Sequence, residues 1–69
     1  MIFLVVGSGL CEIRIKNGIC QEDLAKATGF SSRTIRRIEK GETSPSSEFM
    51  FRMSAYFHMA VEELFEMKE

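Results

Sequence analysis

Glycine punctuation constrains this chain more than any other feature. Asn17-Gly18, Gly29 and Gly41 each close a stretch whose apolar residues recur at helical spacing, and glycine just past the last helical residue is a common stop. No long helix fits between such stops, so the pattern predicts several short helices packed on one another. The first runs from Leu10 to about Lys16 and carries Leu10 and Ile13 three apart. The second covers Gln21 to Thr28, with Leu24 and Ala25 facing inward. Ser31 is a good N-cap for a third helix that runs to about Lys40. After a polar loop from Glu42 to Pro45, Ser46 caps a fourth, with Glu48 near the capping-box position. Met50, Met53, Ser54 and Phe57 form its inward stripe, and a last helix over Val61 to Met67 presents Val61, Leu64 and Phe65 on one face. The expected fold is all-α, a compact bundle of five short helices. Ahead of it, Met1 to Val6 reads as a short strand or an apolar tail ended by Gly7-Ser8-Gly9, so the chain divides into an N-terminal segment, residues 1–9, and a domain, residues 10–67.

The chain has 69 residues, 45% hydrophobic and 28% charged, the composition of an ordinary globular domain. That is room for one small domain and too little for a two-domain enzyme or a β-barrel. The apolar run Met1–Val6 is far shorter than the ~18 residues that suggest a membrane span, and no basic residue precedes it as in a signal peptide. Cys11 and Cys20 form no C-x-x-C pair, and the single histidine, His58, has no cysteine at metal-ligand spacing. Two reduced thiols in a cytoplasmic protein, with no metal and no cofactor, are expected. Catalysis is not expected either. There is no nucleophile–base constellation, and Gly7-Ser8-Gly9 lacks the third glycine of a dinucleotide loop. No small-molecule substrate is therefore expected.

The net charge is −1, which by itself does not suggest a polyanion as partner. Its distribution does. Arg33, Arg36, Arg37 and Lys40 stand together against one acid, Glu39, whereas Glu62, Glu63, Glu66 and Glu69 face only Lys68. Local patches govern steering toward a charged partner. At about 100° per residue, Arg37, Lys40 and Arg36 all fall within about 60° of Arg33, while Ile35 and Ile38 fall on the far side. One face of the third helix is thus cationic and the other apolar. An isolated basic helix is often no more than a solvated face. Here the positive side is not balanced by acids, and the helix follows another across the tight Gly29-Phe30-Ser31 turn, the spacing of a helix-turn-helix. A major groove admits such a helix, and guanine offers two acceptors that match an arginine fork. Ser31, Ser32 and Arg33 lie at its N-terminal end, where recognition helices meet base edges. Gln21, Thr34 and Lys40 are placed for the phosphate backbone.

Gln21-Glu22-Asp23-Leu24-Ala25, then Gly29, Ser31, Thr34-Ile35, Arg37-Ile38-Glu39-Lys40-Gly41 and Pro45 resemble the Cro/repressor-type (xenobiotic-response-element-type) helix-turn-helix of phage and bacterial regulators. The likeness runs from about Leu10 to Phe65. It implies a lambda-repressor-like five-helix domain that binds operator DNA, usually as a dimer. By position, Gln21 corresponds to the family's backbone-contacting glutamine, and Ser31, Ser32, Arg33 and Arg37 to its base-reading positions, with Arg36 at the edge of that set. The resemblance also implies a structural ion pair between Arg14 and Glu39. Three positions depart from the family. Cys20 replaces the Ser or Thr that caps the second helix, His58 stands where a helix-ending glycine is common, and Ala60 replaces the Ser or Thr cap of the last helix.

The fourth helix holds more apolar surface than a core stripe needs. Phe49, Phe51 and Tyr56 flank the stripe, and with Val61 and Phe65 they make a candidate surface for a two-fold homodimer. The expected function is a sequence-specific transcriptional regulator, a dimeric repressor that places the helix of about residues 32–40 in the major groove of a near-palindromic operator. The competing reading is an antitoxin or other protein-interaction module whose helix-turn-helix serves autoregulation.

Overall fold

The computed structural model describes residues 4–6 and 8–68. Within them the order is β1 (Leu4–Val6), α1 (Ser8–Lys16), α2 (Gln21–Thr28), α3 (Ser32–Glu39), α4 (Ser47–Phe57), α5 (Val61–Leu64) and β2 (Glu66–Lys68). Local chemistry sets most of these boundaries. The Ser31 hydroxyl accepts from the Thr34 amide at 3.1 Å, and that of Ser46 accepts from the Phe49 amide at 3.1 Å. Cys20, which looked like a lost cap, serves as one: its sulfur accepts from the Asp23 amide at 3.4 Å. Gly29 ends α2 in the left-handed conformation, φ 82° and ψ 7°, and its N–H reaches the Ala25 carbonyl.

The helices bury one continuous core of Leu10, Leu24, Ile35, Ile38, Phe49, Met53, Leu64 and Phe65. Every helix contributes to it, which is how so short a chain closes a single core. Two rings contact Phe49: that of Phe30, partly buried against the core, at 4.8 Å between centroids, and that of Phe65, edge-on at 6.1 Å. The inward stripe of α4 is therefore centred on Phe49 and Met53, and the expected Met50 and Phe57 lie at its half-buried margin. Glu48 does not close a capping box but accepts from Arg52 one turn later, at 2.6 Å.

Three further expectations are corrected at the chain's ends. α1 begins at Ser8, so Gly9 lies inside it. There a Cβ would meet the Leu64 carbonyl oxygen at 2.8 Å, so only glycine lets α1 and α5 approach this closely. α5 stops at Leu64 instead of running to Met67, because Phe65 turns extended (φ −127°, ψ 138°) to bury its ring. The residues beyond form a strand, and that strand partners the apolar N-terminal one. β1 and β2 pair antiparallel, with Leu4 opposite Lys68, Val5 opposite Met67 and Val6 opposite Glu66. Met1 to Phe3 of the expected strand or tail lie outside the described residues. No described helix is long and apolar enough to cross a membrane.

Candidate nucleic-acid interface

The site is the pair α2–α3 and the turn between them. Ile35 and Ile38 are buried and dock α3 on the body of the domain. Arg33, Thr34, Arg36, Arg37 and Lys40 are exposed along the same helix. Gln21, Glu22, Ser32, Arg33 and Arg36 line a shallow open groove between the first turns of α2 and α3. Among the described residues neither Arg33 nor Arg36 is in an ion pair, so both guanidinium groups are available to a polyanion. Arg37 lies 3.9 Å from Glu42, with both side chains about half exposed. A pair so open and so long holds little energy.

Behind this surface stands a buried brace. Arg14 on α1 meets Glu39 at the end of α3 through two hydrogen bonds, Nε to Oε2 at 2.7 Å and Nη2 to Oε1 at 3.0 Å. Its Nη1 donates to the Ile19 carbonyl at 2.9 Å. The side chains are 11% and 3% exposed. Hydrogen bonding to Glu39 raises the Arg14 pKa above its ordinary value, against the opposing effect of burial. Gln21 joins the same carboxylate, with Nε2 donating to Glu39 Oε1 at 2.9 Å. The amide at the start of α2 is thereby held by a charge anchored in α3 and α1, and the second hydrogen of its Nε2 can donate to an acceptor such as a phosphate oxygen.

The other candidate residues divide. Ser31 spends its hydroxyl within the chain: it accepts from the Thr34 amide and donates to Thr34 Oγ1 at 2.8 Å. Lys40 is the C-cap of α3, and its amide bonds back to the Arg36 carbonyl. The candidate dimer surface is corrected in two places. Phe49, 1% exposed, and Phe65, 4% exposed, belong to the domain's own core and are not offered to a partner. At about 100° per residue, a stripe centred on Met50 leaves Phe49 on its flank, whereas a stripe centred on Phe49 and Met53 buries it. Val61 is half-buried against the core, while Phe51 stands 72% and Tyr56 39% exposed.

Two features escaped the sequence reading. Ile15 on α1 is exposed; it differs from Ile13 only in its position on the helix. Arg52 reaches from α4 to the helix-turn-helix turn, and its signal was present: it is the one cation on α4, four residues after Glu48.

Comparison with known proteins points the same way. The helix-turn-helix family model matches residues 12–64. An uncharacterized HTH-type transcriptional regulator of Methanocaldococcus jannaschii is 40% identical over 52 residues, which is 75% of this chain and 79% of the relative. One from Archaeoglobus fulgidus is 39% identical over 54 residues, 78% of this chain and 77% of the relative. The uncharacterized HTH-type transcriptional regulator YgzD of Bacillus subtilis is 33% identical over 58 residues, 84% of this chain and 88% of the relative. Among solved structures, a transcriptional regulator from Listeria innocua superposes with a TM-score of 0.76 at 28% identity. That match covers 84% of this chain and 54% of the Listeria chain, so the present chain spans about half the length of that relative.

Proposed function

From the premise that this chain belongs to the helix-turn-helix family of transcriptional regulators, we propose that it is a sequence-specific repressor that binds a near-palindromic operator as a homodimer. The observation that carries this reading is the division of α3, with Ile35 and Ile38 buried and Arg33 and Arg36 exposed and unpaired among the described residues. In this reading α3 enters the major groove. Arg33, Arg36 and Arg37 reach base edges, where guanine suits an arginine fork. Ser31 and Ser32 lie at the same end of the helix, and since the Ser31 hydroxyl is committed to its cap, Ser32 is the better placed to read a base. Gln21, Thr34 and Lys40 touch the phosphate backbone and set the register. Two copies would place their recognition helices ~34 Å apart, one turn of DNA. Phe51, Tyr56 and Val61 are the residues offered to the second copy. Repression follows from occupying DNA that a polymerase needs, in the cytoplasm and without catalysis.

The test is a fluorescence-anisotropy titration with random duplex DNA at two salt concentrations, with mass read by light scattering on the same sample. Binding that weakens steeply with salt, from a particle of dimer mass, supports the reading. A well-folded chain without salt-dependent binding overturns it and moves a protein-interaction role, such as an antitoxin, to first place.

A further inference from the structure

We infer that Arg52, on α4, is a positioning residue for recognition: it clamps the turn between α2 and α3 and so aims the basic helix. The inference rests on the DNA-binding reading above. Nη1 of Arg52 donates to the carbonyl of Thr28, the last residue of α2, at 2.9 Å. Its guanidinium carbon lies over the Phe30 ring, 5.1 Å from the centroid, within the range of a cation–π contact. Nη2 donates to Glu48 Oε1 one turn back along α4, which fixes the plane of the guanidinium. Between Thr28 and Phe30 sits Gly29, where a Cβ would stand 3.1 Å from Nη1. Glycine there serves the left-handed turn and also makes room for the clamp. Phe30 packs in addition on Phe49, which is likewise on α4.

α4 therefore holds the turn through two side chains, one charged and one aromatic. This matters because α3 packs chiefly on α2 and α1, whereas α4 packs on α2 and α5. The turn is the route by which α4 acts on the direction of α3. The Arg52 side chain is about half exposed and that of Glu48 about two-thirds, so their ion pair adds little to global stability. The hydrogen bond to a helix-end carbonyl and the planar contact with Phe30 carry geometry instead. A small tilt at the turn displaces Arg33 and Arg36 from any base they read.

The experiment uses the full chain and the variants Arg52→Ala, Arg52→Lys and Glu48→Ala. Amide hydrogen exchange is followed residue by residue. Affinity is measured for a duplex that the wild-type chain has enriched from a randomised pool, and for random duplex. For Arg52→Ala, faster exchange is expected at the Gly29, Thr34 and Ile35 amides, with the Phe65 amide unchanged. Affinity for the enriched duplex should fall about tenfold, the size of one lost base contact, and that for random duplex by less than about twofold. Arg52→Lys keeps the charge but loses the plane, and should recover only part of the loss. Glu48→Ala should have the smallest effect. Exchange that accelerates evenly over the chain overturns the inference, since Arg52 would then be one more stabilising contact. Equal loss on both duplexes overturns it too, since Arg52 would then touch phosphate directly. A wild-type chain that enriches no duplex defeats the DNA-binding reading itself and the recognition role with it; localised exchange in that case would still show the clamp on the turn.

Discussion

Between Cys20 and Gly41 each helix end has a suitable partner, whereas between His58 and Lys68 the chain makes similar turns with ill-suited residues. α2 starts on the Cys20 sulfur and stops on a left-handed glycine, and α3 starts on the Ser31 hydroxyl. Glu39, at its end, is gripped by Arg14 and Gln21. In the second region His58 takes the left-handed conformation (φ 55°) that glycine adopts more readily. Ala60 begins a four-residue helix with no side-chain cap. Among the described residues, the one side-chain hydrogen bond at that start is the Glu63 carboxylate accepting from the Ala60 amide at 3.1 Å. The contrast shows where rigidity is placed. The part proposed to read DNA is braced from three helices, while the part next to the candidate dimer surface draws its order from Leu64, Phe65 and the packing on α1. Local stability follows such differences in burial and capping.

The strongest way to break this comparison is through the aromatics of α4. Phe49→Ala removes a ring shared by Phe30 and Phe65 and should cost about 3–5 kcal/mol in urea denaturation, enough to unfold much of so small a domain. Phe51→Ala, two positions on, should change that stability by no more than about 0.5 kcal/mol. It should instead lower the mass seen by light scattering if Phe51, 72% exposed, belongs to the proposed dimer surface. Similar stability losses in the two variants would mean that the burial contrast between them is wrong.

Next comes the brace. Glu39→Ala strands the Arg14 guanidinium in a site 11% exposed and frees Gln21. A loss of about 3–5 kcal/mol is expected, most of it the penalty for an uncompensated buried charge. The raised Arg14 pKa gives the sign of any pH dependence from this residue. Its contribution is fully present below the ordinary arginine value and is lost only as pH rises through the raised one. With respect to Arg14, the brace should thus be constant across the neutral range. The difference in stability between the wild type and Glu39→Ala, measured at several pH values, checks this, and a difference that falls near neutrality would refute it.

Much of this design was legible in the sequence, and the failures have physical causes. Gly29, Ser31 and Ser46 announce helix ends because capping is local chemistry, settled within a few residues. The two faces of α3 follow from angle alone. The end of α5 did not, because Phe65 leaves the helix to bury its ring against Phe49 in the core, a residue distant in sequence. Tertiary burial overrode a helical pattern only a few residues long. The same applies to Gly9, whose role depends on the Leu64 carbonyl at the other end of the chain. The strand at Glu66–Lys68 was hidden in an acidic stretch, and only its pairing with Leu4–Val6 explains it. At the candidate site, residue types were readable and relations were not. Gln21 is expected from the sequence to contact the DNA backbone, an expectation still to be tested, and its bond to Glu39 required the fold.

A smaller effect separates reading from anchoring within the braced region. Arg33→Ala should cost ~1–3 kcal/mol on an enriched duplex and relax base preference at one position. Gln21→Ala should weaken all sequences alike, since a phosphate contact carries no sequence information. Binding to a panel of single-base variants of the duplex distinguishes them. If Gln21→Ala altered base preference, its link to Glu39 would have to act on the pose of α3, and anchoring and reading would no longer be separable.

The smallest effect tests the weak region from the other side, by repairing it. Glu63 already accepts from the Ala60 amide, so half of a capping box exists. Ala60→Ser supplies the other half, a hydroxyl that can accept from the Glu63 amide, and should stabilise by about 1 kcal/mol. His58→Gly relieves the left-handed strain but adds freedom to the unfolded chain, so the net gain should be smaller, about 0.5 kcal/mol. Cys20→Ser is the matched control in the braced region, where a cap is already in place, and should gain less than Ala60→Ser. Urea midpoints of the three variants make the comparison. If Ala60→Ser gained no more than Cys20→Ser, the start of α5 would not be limited by its cap, and the order of the C-terminal region would rest on Leu64 and Phe65 alone.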